Sequence, residues 1–84
     1  MRRSLTMNFN DTKIGDILLI GGDDGFCTDY ENEVIQLSTK YDENTGEKYT
    51  VIHTDDDGNF DARTGNPIKP PWAYYIKKNL EDKR

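Results

Sequence analysis

The chain is nearly without cysteine: Cys27 is the only one in 84 residues. An intrachain disulfide is therefore excluded. A secreted domain of this size is usually stapled by several, so the composition points to a reducing compartment and a cytoplasmic location. Cys27 lies in the loop-like stretch Gly25-Phe26-Cys27-Thr28, where packing is a better reading than nucleophilic chemistry. Long apolar runs are missing too. The longest, Ile17-Leu18-Leu19-Ile20, is far too short to cross a bilayer as a helix. Arg2 and Arg3 are followed by no apolar stretch, so no secretory signal is expected, and no membrane partner. Histidine is almost absent: His53 stands alone, with no Ser or Cys beside it in sequence and too few nitrogen or sulfur ligands for a transition-metal site. Gly21-Gly22-Asp23-Asp24-Gly25 carries no Lys and would repel phosphate, so it is not a phosphate loop. A chain this short buries only about 60% of its unfolded surface, which leaves little room for a deep reaction pocket. These absences argue against an enzyme, and no cofactor is expected.

What is present in quantity is charge, unevenly laid out. Residues 11–61 hold 14 acids against three Lys, which is −11. Residues 62–84 hold six bases against two acids, which is +4, and Arg2 and Arg3 add +2, for a total of −5. Such a layout suits a charged macromolecular partner.

Gly, Pro and Asn/Asp clusters punctuate the chain about every ten residues, a spacing that suits short β-strands. The first strand is expected from Asp16 to Ile20, followed by a loop to about Asn32. Glu33 to Tyr41 reads as a second strand by period-two alternation, with Ile35, Leu37, Thr39 and Tyr41 on the more apolar face. Asp42 to Glu47 is a turn in which Gly46 supplies positive φ. Lys48 to Thr54 returns as a third strand, Asp57-Gly58 marks a tight hairpin, and Phe60 to Ala62 makes a fourth. Thr64-Gly65-Asn66-Pro67 turns again. Pro70-Pro71 stiffens the approach to a fifth strand, Trp72 to Ile76. Lys77 to Arg84 reads as a basic tail or a short terminal helical turn. The expected fold is mainly β: five short strands in a strongly bent antiparallel sheet or small barrel over residues 13–76, with residues 1–12 as a loosely packed extension.

At this point the chain resembles the SH3-like barrel group. The resemblance rests on Lys13-Ile14-Gly15-Asp16-Ile17 opening the first strand, the long loop after it, the two hairpins, and Pro70-Pro71-Trp72 before the last strand. It implies a barrel of that kind. The terse length and the Asp, Asn and Tyr content also look like those of accessory proteins of tailed bacteriophages.

Two acidic turns and one aromatic segment are the candidate sites. Asp55-Asp56-Asp57-Gly58-Asn59-Phe60-Asp61 could gather oxygen ligands for calcium. With Gly58 at loop position six, Asp55 and Asp57 fall at three and five, but His53 falls at one and Thr64 at twelve. The first carboxylate and the bidentate last ligand of an EF-hand are missing, so no metal ligand is assigned and a solvated hairpin turn is the preferred reading. Asp23 and Asp24, with Asp29 and Glu31, form a second acidic loop, for which a solvated turn is again the preferred reading. If the two loops meet at one end of the barrel, their field would attract a basic protein surface. Trp72, Tyr74 and Tyr75 would add desolvated contact area. A rival reading takes Lys69, Trp72, Tyr75, Lys77 and Lys78 as a single-stranded nucleic-acid site, which the negative charge elsewhere disfavours. The expectation is a non-enzymatic domain that binds a protein with a basic surface. Calcium binding and nucleic-acid binding remain alternatives, and self-association is left open.

Overall fold

The computed structural model describes residues 8–22, 28–70 and 72–80. Five strands follow in order: β1 (Ile17–Gly21), β2 (Tyr30–Tyr41), β3 (Lys48–Thr54), β4 (Asn59–Asp61) and β5 (Tyr75–Asn79). They form one antiparallel sheet in the order β4-β3-β2-β1-β5, curled into a half-barrel compatible with an SH3-like fold. The first four strands make a meander, and β5 returns to pair with β1.

The curl is drawn closed by backbone bonds outside the ladders. The Ile76 N–H donates to the Gly65 carbonyl at 2.8 Å, and the Phe9 N–H donates to the Ala62 carbonyl at 2.6 Å. The segment after β4 thus bridges to β5 and to the chain ahead of β1. Gly65 is required there: its φ is +85°, and a Cβ would lie 2.7 Å from the Phe9 ring and 3.0 Å from the Ile76 carbonyl.

The core is built from alternate residues of several strands. Leu18 and Ile20 of β1, Val34 of β2, Ile52 of β3, Phe60 of β4 and Ile76 of β5 meet with Phe9 and Ala62. Each large aliphatic side chain taken from water contributes about 1.5–3 kcal/mol before chain entropy is counted. Phe9 is buried among them, so the packed unit draws on residues ahead of position 13.

Three expectations are corrected. Within β2, Val34 is buried whereas Ile35 and Tyr41 are 49% and 66% exposed. The cause is a β-bulge: Val34 pairs with Thr54 and Gln36 with His53, so two steps on β2 match one on β3. The bulge shifts the alternation, bringing Val34 and Leu37 to the core side. The last strand runs Tyr75–Asn79 rather than Trp72–Ile76, because residues 72 and 73 form a turn and alternation reaches back no further. Lys77 to Asn79 are strand rather than helix, and the Leu80 N–H still bonds to Ile17. Residues 81–84 lie outside the described residues.

The charge layout is also partly consumed within the fold. Arg63 pairs with Asp61 at 2.8 Å, with Asp42 at 3.3 Å and with Glu47 at 3.6 Å. Its guanidinium stacks 4.0 Å above the Tyr49 ring. Lys69 pairs with Asp57, and Lys77 with Asp29. The basic segment folds back onto the acidic one, which reduces the separation of charge seen along the sequence. Among the described residues, no helix is long and apolar enough to cross a membrane.

Candidate binding groove

The acidic turn between β3 and β4 is a compact hairpin. The Asp57 N–H donates to the Thr54 carbonyl and the Thr54 N–H to the Gly58 carbonyl, both at 3.0 Å. Asp57 takes φ = +72°, a left-handed position that Asp tolerates better than most residues. This geometry turns the Asp56 carboxylate inward. Its Oδ1 accepts from the Thr54 hydroxyl at 2.7 Å and from the Gly58 N–H at 3.2 Å. Its Oδ2 accepts from the Tyr30 hydroxyl at 2.8 Å. Burial works against ionisation of Asp56, but hydrogen bonds from Thr54, Tyr30 and Gly58 outweigh it and hold the carboxyl below its ordinary range. Burial, joined by the bond to Asp56, pushes the Tyr30 phenol well above its ordinary value, so it remains a donor at neutral pH.

The Tyr30 ring lies beside Tyr74, with centroids 5.8 Å apart and planes tilted by 60°. Together with Phe60, Pro67 and Pro70 they line a groove of about 550 Å³. Asp56, Asp57 and Lys69 complete its wall. Lys69 reaches Asp57 at 3.1 Å, yet the Asp57 side chain remains 90% exposed and open to a further partner. The groove thus has an aromatic and proline floor and an acidic edge.

Of the expected site residues, the structure gathers Asp56, Asp57, Lys69 and Tyr74 here. Asp55 faces a separate, smaller cleft with Ile35, Gln36 and His53. Trp72 is 63% exposed and stands outside the residues that line the groove. Tyr75 pairs with Gly21 in the sheet and does not line the groove either. Asp23 and Asp24 lie outside the described residues. For the nucleic-acid reading, Lys69 and Lys77 are both engaged by carboxylates, and Lys78 is exposed on β5. For the calcium reading, the Asp56 oxygens already accept protein donors while Asp57 is directed to Lys69.

Tyr30, Phe60, Pro67 and Pro70 were not singled out as site residues from sequence. Tyr30 was legible in one respect: it stands four residues before Val34, on the same side of a strand that begins earlier than Glu33. His53 also has a partner that spacing did not reveal. Its Nε2 lies 2.7 Å from the Ser38 hydroxyl across the β2–β3 ladder. Among the described residues no carboxylate bonds to the other ring nitrogen, so the pair reads as a cross-strand hydrogen bond.

No family model matches the sequence, and no curated protein or solved structure matches it either.

Proposed function

We propose that this is a non-enzymatic binding domain that takes an extended segment of a partner protein, bearing a basic side chain, into the groove between Tyr30, Tyr74 and residues Asp56 to Gly58 of the β3–β4 turn. One observation carries the reading: the Tyr30–Asp56 hydrogen bond fixes an aromatic floor against an acidic edge. Aromatic rings supply large contact area at low entropic cost, which is why they dominate interface hot spots. The exposed Asp57 and the net charge of −5 favour a cationic residue on the partner and speed its approach. The strand order supports assignment to the SH3-like group, and the composition is in keeping with a phage-encoded accessory or host-modulating factor acting in the cytoplasm.

The test is titration with a library of extended peptides in which one position is Arg, Lys or an uncharged isostere. Binding that requires the basic residue, weakens with salt and is lost in Tyr74→Ala supports the proposal. Indifference to all three contradicts it.

A further inference from the structure

The long strand β2 outruns its neighbour. The Val34 N–H donates to the Asp16 carbonyl and the Gly15 N–H to the Val34 carbonyl, both at 2.9 Å, and there the pairing with β1 ends. Gly15 takes φ = +100° and turns the chain off the sheet. Beyond the bulge, β2 pairs only with β3 among the described residues. The Asp42 N–H bonds to the Glu47 carbonyl. Counting back two by two along an antiparallel ladder, Lys40, Ser38 and Gln36 bond to β3, and Leu37, Thr39 and Tyr41 direct their N–H and C=O groups outward. Such an edge is a ready template for another strand. The usual defences are missing over this stretch. It holds no Pro, the bulge lies before it, and the Lys40 side chain points to the opposite face from Leu37, Thr39 and Tyr41.

We propose that this edge pairs with the same edge of a second copy, β2 against β2, in antiparallel register about a twofold axis through Thr39. The argument for a second copy is self-complementarity. Centring on Thr39 sets Leu37 opposite Tyr41 of the second copy, and Thr39 opposite its own counterpart. Every outward N–H and C=O of the three residues then finds a partner, and two apolar pairs form on the core-side face. Tyr41, exposed in the single chain, gains an apolar neighbour in this arrangement. Moving the axis to position 40 would place Lys40 directly opposite Lys40 of the second copy, which like-charge repulsion opposes. A contact of three outward residues from each chain is small beside the interfaces of roughly 1,200 Å² and more that stable complexes bury, so the dimer is expected to be weak and concentration-dependent.

Sedimentation velocity across a wide concentration range, with amide hydrogen exchange read at each residue, tests this. The expected result is a mass rising toward twice that of the monomer, with exchange at Leu37, Thr39 and Tyr41 slowing as concentration rises. Thr39 is exposed, so Thr39→Lys should keep the fold while moving the midpoint of dimerisation about tenfold or more to higher concentration. Tyr41→Ser provides a second variant that acts on side-chain pairing alone and should shift the midpoint in the same direction. A chain that stays monomeric throughout overturns the proposal, whether the three amides exchange fast or are already slow at low concentration. A dimer indifferent to both substitutions overturns it as well.

Discussion

The Tyr30 hydroxyl donates to Asp56 Oδ2 across 26 positions of sequence, at 2.8 Å. Together with the Asp55 N–H on the Glu33 carbonyl, this bond ties the start of β2 to the β3–β4 turn, and among the described residues it alone links the turn to the Tyr30 ring that lines the groove. Tyr30→Phe keeps the ring beside Tyr74 and deletes only the donor. The site is partly open to water, so the expected loss is about 1 kcal/mol, read as a lower denaturant midpoint with an unchanged slope. Peptide affinity should fall as well, because Asp56 stays held at Oδ1 by Thr54 and Gly58 but loses its tie to the aromatic floor.

Acid should loosen the same turn. Asp56 and Asp42 both have folded pKa values below the ordinary carboxylate value. In Asp56, burial opposes ionisation and is outweighed by donors; in Asp42, the Asn44 N–H leads, supported by Thr45 and Arg63. Their stabilisation is therefore full above about pH 4, where an unfolded Asp ionises, and is lost as pH falls through the lower folded values. Melting temperature followed from pH 6 down to pH 2 should drop more steeply for the native chain than for Asp56→Asn. Parallel curves would contradict this assignment.

Gly65→Ala is expected to be among the costlier single changes. The residue sits at φ = +85°, and the new methyl would press on Phe9 and on the carbonyl of Ile76, the residue whose N–H bonds to Gly65 and closes the half-barrel. Left-handed strain of about 1 kcal/mol adds to displaced core packing, for a total of roughly 2–3 kcal/mol. Thermal unfolding measures it. Gly46→Ala is the control: φ is +76° but nothing lies within 4 Å of the added Cβ, so only the backbone strain should appear.

Trp72 and Tyr74 should separate in function although they are two residues apart. Tyr74 packs on Tyr30 and lines the groove, whereas Trp72 is exposed outside it. Tyr74→Ala should abolish peptide binding and cost about 1–3 kcal/mol of stability from its half-buried ring. Trp72→Ala should leave stability within about 0.5 kcal/mol. Equilibrium denaturation and peptide titration of the two variants check both halves of the claim.

Much of the architecture was legible because turns announce themselves. Gly46 takes the positive φ that its hairpin demanded, a turn does fall at Gly65, and β3 runs over the span that its β-branched and aromatic residues marked. The face of β2 was misread because a bulge is a pairing event: nothing in Val34-Ile35-Gln36 shows that Thr54 and His53 will meet it one step out of phase. The start of β2 was missed because Glu31, Asn32 and Glu33 hide the Tyr30–Val34 side of the strand behind polar neighbours. The groove was half legible. Asp56, Asp57, Lys69 and Tyr74 stood out as charge and aromatic content, but Tyr30 and Phe60 join them only through the curl of the sheet.

The most direct measurement is residue-resolved NMR of the isotope-labelled chain titrated with an extended peptide carrying one Arg. The account predicts saturable shift changes clustered at Tyr30, Asp56, Asp57, Phe60, Lys69 and Tyr74, weakened by salt and absent in Tyr74→Ala. Shifts centred on Trp72, Lys77 and Lys78 instead, or no saturable shifts with any basic peptide, would contradict it.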